Sequence, residues 1–169
     1  MDQKTFIKLV NPFKDKVYRV AKRLLVSDDE AQDATQEVLL KLWMKRSKFE
    51  QYRSVEAFAM TMTKNYCYDK LKAKSSSNLK IVHNNYEDHS GNTGRQVEAA
   101  DEVSWVFKLM KELPQQQQLI VQLRDIEQFN NAEIAEMLKM NETAVRVALS
   151  RARKTLREGL IKKQNYGIR

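Results

Sequence analysis

A chain of 169 residues carries 30 Lys and Arg against 22 Asp and Glu, and the formal net charge of +8 favours a polyanionic partner, nucleic acid ahead of an anionic membrane surface. Four glycines and two prolines leave long stretches free to be helical, so an all-α fold is expected, as one ordinary domain or two small ones. A single cysteine, Cys67, excludes a disulfide framework, no apolar run approaches the roughly 20 residues of a membrane span, and the first residues lack a signal-peptide core. The expectation is a cytoplasmic protein that is not itself a membrane protein.

From Phe6 to Leu25, apolar Phe6, Val10, Phe13, Val17, Val20, Ala21 and Leu24 recur at helical spacing, with Pro12 splitting or capping the segment. "SDDEAQDATQEVLLKLWMKR" then opens a helix: Ser27 is the cap, Glu30 stands three residues later, and acids crowd the first turn. This helix is predicted over about 28–45. Ser54 caps the next one, whose stripe is Phe58, Met62, Tyr66 and Leu71, completing an N-terminal bundle over 1–74. Residues 75–100 hold turn-forming clusters and little periodicity, and they read as a flexible linker. The second domain, 101–169, is predicted to hold a helix over 101–113, a restart at Pro114, a helix to about Ile126, and two further helical patterns.

Those last two patterns have the grammar of a helix-turn-helix. In "NNAEIAEMLKMNETAVRVALSRARKTLRE", Ile134, Ala135 and Leu138 face inward, Asn131 can cap the first piece and Asn141 the second. At 100° per residue, Val145, Ala148, Leu149, Ala152 and Leu156 fall on one side of the second helix. Thr143, Arg146, Val147, Ser150, Lys154 and Arg157 fall on the other, flanked by Arg151 and Arg153. An α-helix fits the DNA major groove, where Arg pairs with guanine edges and small or methyl-bearing side chains meet other bases. Lys139 occupies the turn where glycine is common, so a left-handed backbone there carries a steric cost.

The segment "LPQQQQLIVQLRDIEQFNNAEIAEMLKMNETAVRVALSRARKTLRE" resembles region 4 of sigma factors, and "DATQEVLLKLW" resembles region 2. In this order, with a linker between, the chain resembles an extracytoplasmic-function (ECF) member of the sigma-70 family. The resemblance implies two small helical domains and three sets of contacts. Asp33, Gln36 and Glu37 would meet the clamp coiled coil of core RNA polymerase, and Leu40 shares their helical face by spacing. Phe49 and Asn65 would capture a base of the melted -10 strand. Lys64 and Lys72, in a region rich in bases and aromatics, would track its backbone. Trp43, Phe58 and Tyr66, at helical spacing, are expected in the core instead. Arg146, Val147, Ser150 and Arg151 would lie against the -35 duplex, with Arg124, Asn131 and Arg153 near its backbone and Lys154 on the same exposed face of the helix. Val147 stands where the family pattern commonly has a polar residue, which points to a thymine methyl. An anti-sigma factor is a further implied partner.

No catalytic site, metal site, cofactor or small-molecule substrate is expected. His83 and His89 lie in the linker, and no nucleophile motif, phosphate loop or carboxylate pair stands out. Two rivals share the composition. A dimeric operator-binding regulator would bind a palindromic duplex tightly without polymerase, and a nonspecific nucleic-acid binder would show steep salt dependence with little discrimination.

Overall fold

The computed structural model describes the backbone of residues 1–77 and 97–167, and every regular element among them is a helix. The linker expected at 75–100 therefore lies largely outside the described residues, with only its two ends seen inside helices. Helix α1, Gln3–Val10, starts where Asp2 Oδ1 accepts the Thr5 N–H at 2.9 Å. Pro12 separates it from α2, Lys14–Leu25, as its missing N–H and fixed φ require. Helix α3, Asp28–Met44, is capped by Ser27, whose Oγ accepts the Glu30 N–H at 3.3 Å. A 3-10 turn, Arg46–Gln51, leads to α4, Val55–Ser77, capped by Ser54 Oγ on the Ala57 N–H at 3.1 Å.

In the second half, α5 spans Val97–Glu112 and α6 spans Gln115–Val121 after the break at Pro114. The helix expected to continue to Ile126 instead widens into a π-helical turn, Gln122–Ile126, in which the Glu127 N–H reaches back to the Gln122 carbonyl at 2.9 Å. Helix α7, Asn131–Leu138, and helix α8, Glu142–Gly167, follow. Residue Gly159 lets α5 approach α8, since a Cβ there would sit 2.7 Å from Leu109 Cδ2.

All seven apolar positions read from the first segment are buried, and α3 adds Ala31, Ala34, Val38 and Leu42 at three- and four-residue spacing. The stripe read on α4 is displaced. Phe58, Met62, Tyr66 and Leu71 are only partly buried, while Ala59, Met60, Thr63 and Cys67 are fully enclosed. Helix α4 packs against α2, α3 and α7 together, so its innermost line is the one with small side chains, where helices approach closely. Thr63 tolerates this burial because its hydroxyl donates to the Ala59 carbonyl at 2.7 Å. The C-terminal core is built by Leu119, Ile120, Leu123, Ile134, Met137, Val145, Leu149 and Ala152. The two halves touch directly, α2 against α6 and the π turn, and α4 against α7.

Candidate nucleic-acid interface

Helices α7 and α8 form the helix-turn-helix. Asn130, one residue earlier than expected, caps α7: its Oδ1 accepts the Glu133 N–H at 2.8 Å, while Glu133 Oε2 accepts the Asn130 N–H at 3.1 Å. Lys139 takes the left-handed conformation, φ 54 and ψ 45, and its N–H closes the end of α7. Asn141 Oδ1 then accepts the Ala144 N–H at 2.7 Å and starts α8. These local bonds set the angle at which α8 leaves the turn.

On α8 the predicted division of faces is seen. Val145, Leu149 and Ala152 are buried and Ala148 and Leu156 partly so, whereas Thr143, Arg146, Val147, Ser150, Arg151, Arg153, Lys154 and Arg157 are exposed. Arg146 leans on its own helix, Nη2 donating to Thr143 Oγ1 at 3.2 Å with Glu142 3.8 Å away, weak tethers on an exposed side chain. Val147 keeps 42% of its surface in solvent, an apolar side chain on an otherwise polar and basic face. A groove of about 500 Å³ borders this face and is lined by Pro114, Gln116, Gln117, Thr143, Val147 and Arg151 among others. Only the tertiary structure puts the glutamine run beside this face of α8.

The expected backbone contacts divide. Lys154 is exposed, but Arg153 is held by Asp125 through Nη2 at 2.5 Å and Nε at 3.1 Å, a pairing that raises its pKa. Arg124 is half-buried, with Nη1 donating to the Phe129 carbonyl at 3.3 Å. Asn131 begins α7 with its Oδ1 shielded from solvent and without a hydrogen-bond partner among the described residues.

In the N-terminal half, Asn65 and Lys72 are exposed on α4. Lys64, next to Asn65, is half-buried, and its Nζ donates to the Met137 carbonyl of α7 at 3.0 Å. Desolvation, with Lys139 nearby, lowers its pKa. Phe49 departs from the role expected of it as a stacking surface. Its ring is buried and lies 6.4 Å from the Phe6 ring, so it anchors the 3-10 turn to the core. Trp43 meets Phe6 edge-on at 5.1 Å, and Arg46 covers its ring at 3.8 Å. The sequence pattern could not tell whether Phe49 turns inward or outward, because a single aromatic in a short polar turn has no periodicity to orient it.

Helix α3 presents the third face. Asp33, Gln36 and Leu40 are exposed and Glu37 is half-exposed, with the Lys41 ammonium 3.8 Å from Glu37. Met44, one turn beyond Leu40, is 71% exposed and extends an apolar strip that the sequence reading missed, although its i+4 spacing from Leu40 was the available signal. An acidic and amide row beside two exposed aliphatic side chains suits a partner helix with basic and apolar residues.

Comparison with known proteins matches residues 9–77 to the sigma-70 region 2 family model and residues 105–156 to the sigma-70 region 4 model. The ECF RNA polymerase sigma factor SigK of Mycobacterium tuberculosis is 24% identical over 163 residues, covering 94% of this chain and 87% of the relative. The ECF RNA polymerase sigma factor SigW of Bacillus subtilis is 23% identical over 171 residues, covering 94% and 90%. Among solved structures, the sigma factor RpoE in complex with the anti-sigma factor NepR from Bartonella quintana superposes with a TM-score of 0.72 at 21% identity, covering 93% of this chain and 97% of that one. CnrH in complex with the cytosolic domain of CnrY gives 0.71 at 18% identity, covering 95% and 90%. At those identities the structural likeness establishes the fold.

Proposed function

The chain belongs to the ECF group of the sigma-70 family and directs promoter-specific transcription initiation, and from that premise we propose how its residues divide the work. Arg146, Val147, Ser150 and Arg151 read the -35 duplex, while Lys154, Arg153, Arg124 and Asn131 hold its phosphates. Asn65 captures a base of the melted -10 strand, Lys64 and Lys72 follow that strand's backbone, and Phe49 supports the loop beside them. Asp33, Gln36, Glu37 and Leu40 dock on core RNA polymerase. In this reading 1–74 is the polymerase-binding and -10 domain, 101–169 is the -35 domain, and 75–100 spans the distance between them.

The observation that carries the proposal is the exposed column on α8 opposite a buried one, delivered by a capped turn. Bidentate Arg contacts to guanine, with a methyl-to-methyl contact between, are the chemistry of major-groove readout. Catalysis belongs to the polymerase, and this chain supplies recognition and strand capture. No helix among the described residues is long and apolar enough to cross a membrane, and work on polymerase places the protein in the cytoplasm. The anti-sigma factor NepR seen with RpoE supports a similar partner here.

Run-off transcription from pooled genomic promoter fragments, with core polymerase and with or without this protein, tests the assignment. Arg146→Ala is expected to relax sequence preference in the upstream block, at about 1–3 kcal/mol per lost bidentate contact. Asn65→Ala is expected to impair opening while duplex contact remains. Equal effects of both changes on every promoter would refute the division of roles.

A further inference from the structure

Helix α3 ends on a fixed shelf. Trp43 is anchored inward by its edge-on contact with Phe6 at 5.1 Å, and Arg46 Nη1 donates to the Trp43 carbonyl at 2.8 Å. The Lys45 N–H donates to the Lys41 carbonyl at 3.0 Å and closes the helix. Leu42 is fully buried and Trp43 packs against the core, so Met44, next in the turn, is left pointing outward. At about 100° per residue, Met44 falls within about 20° of both Asp33 and Glu37 around the helix axis and within about 40° of Leu40. The row from Asp33 to Met44 is one line roughly 16 Å long, at about 1.5 Å per residue, polar at its start and apolar at its end.

The side chain at the apolar end is unlike most of the chain's methionines. Met44 keeps 71% of its surface in solvent, whereas Met60, Met110 and Met137 keep no more than 2%, and Met62 and Met140 are partly buried. Met1, at 54%, is exposed too, but it precedes α1 and has no place in the α3 row. The single thiol, Cys67, is fully buried. An unbranched, polarizable thioether fills irregular apolar sockets well, and it is also the apolar side chain that a peroxide converts into a polar one.

We propose that Met44 completes the polymerase-docking row of α3 and that oxidation of its thioether by a hydroperoxide weakens docking, so that the protein's hold on polymerase is peroxide-sensitive. In the chemical step a sulfur lone pair attacks the terminal peroxide oxygen, an S–O bond forms and the O–O bond breaks. The proton on the transferred oxygen passes to the departing hydroxide or alkoxide, which leaves as water or an alcohol. The sulfur is oxidised by two electrons and the peroxide is reduced by two. The sulfoxide oxygen is an acceptor that must shed water to enter an apolar contact, and reduction of the sulfoxide restores the thioether. The inference rests on the reading of Asp33, Gln36, Glu37 and Leu40 as polymerase contacts.

The test treats the purified full chain with hydrogen peroxide, removes the excess with catalase, and locates added oxygen by peptide mass spectrometry. Binding to untreated core polymerase is then measured by fluorescence anisotropy of the labelled protein, with circular dichroism to check that helix content is kept. Met44 is expected to gain oxygen ahead of the buried methionines. The oxidised wild type should bind polymerase about 10-fold more weakly, the effect of one buried acceptor left without a partner, and a methionine sulfoxide reductase should restore the affinity. Met44→Leu, which loses this thioether and keeps Met1, is compared with itself before and after peroxide, and the two affinities should agree. Oxidised wild type that binds as tightly as before, or Met44→Leu that weakens as much as the wild type, would overturn the proposal. Glu37→Lys separates this from the reading beneath it. If that charge reversal leaves polymerase affinity intact, α3 is not the docking face and the reading itself falls; if it weakens binding while oxidation does not, only the peroxide sensitivity of Met44 is lost.

Discussion

Lys139 holds a left-handed backbone, φ 54, at the one position between α7 and α8 where the chain must reverse. A Cβ in that region costs about 1 kcal/mol, which glycine avoids at the expense of a more flexible unfolded chain. Lys139→Gly is expected to raise the unfolding free energy by no more than about 0.5 kcal/mol, and Lys139→Val to lower it by more than that, both read from urea midpoints. Cys67 gives a prediction of a different kind. Burial, with Glu30 adding to it, pushes its thiol up to about 12 from an ordinary value near 9. The unfolded thiol ionises above about pH 9 while the folded one stays protonated, so its contribution to stability is complete below pH 9 and is lost as pH rises from 9 to 12. Native protein at pH 8 should react slowly with thiol reagents, and Cys67→Ala should flatten the fall in stability above pH 9. Both the αL turn and the helical place of Cys67 were legible from neighbours in sequence. The inward turn of Phe49 was not, since its contacts are with Phe6 on a distant helix.

At the scale of elements, capping chemistry was the most legible signal. Ser27, Ser54 and Asn141 cap as read, because each needs only an N–H two or three residues away. For α7 the sequence offered two adjacent asparagines, and the reciprocal bond with Glu133 selects Asn130 over Asn131. Asn130→Ala should cost about 1 kcal/mol in thermal or urea unfolding, with Asn131→Ala costing less. Periodicity failed where an element is buried on more than one side. Helix α4 shows an apolar stripe one line away from its true inner line, because three neighbours surround it and small residues win the close approach. The π turn had no signature either. It is stabilised by what it brings inward, Gln122 and Glu127, whose partners lie on α2.

Across the whole molecule, the exposed basic side of α8 and the acidic row on α3 lie on helices whose local pattern already set them outward, whereas the outward place of Asn65 on α4 depends on the three helices packed around it. The protein without polymerase is expected to bind promoter duplex weakly, with affinity and block spacing both restored when polymerase is added; tight palindromic binding by the protein alone, measured by gel shift, would contradict this. The sequence by itself determined the helices, their caps, the turn at Lys139 and the basic outer face of α8, since each depends on residues within about one or two helical turns. Only the tertiary structure decided that Phe49 is core, that Arg153 is paired with Asp125, and that Arg19 reaches Glu127 across 108 positions of chain. Those outcomes depend on which surfaces meet after the helices form, and a lone buried carboxylate or aromatic carries no periodic trace of the partner that will cover it.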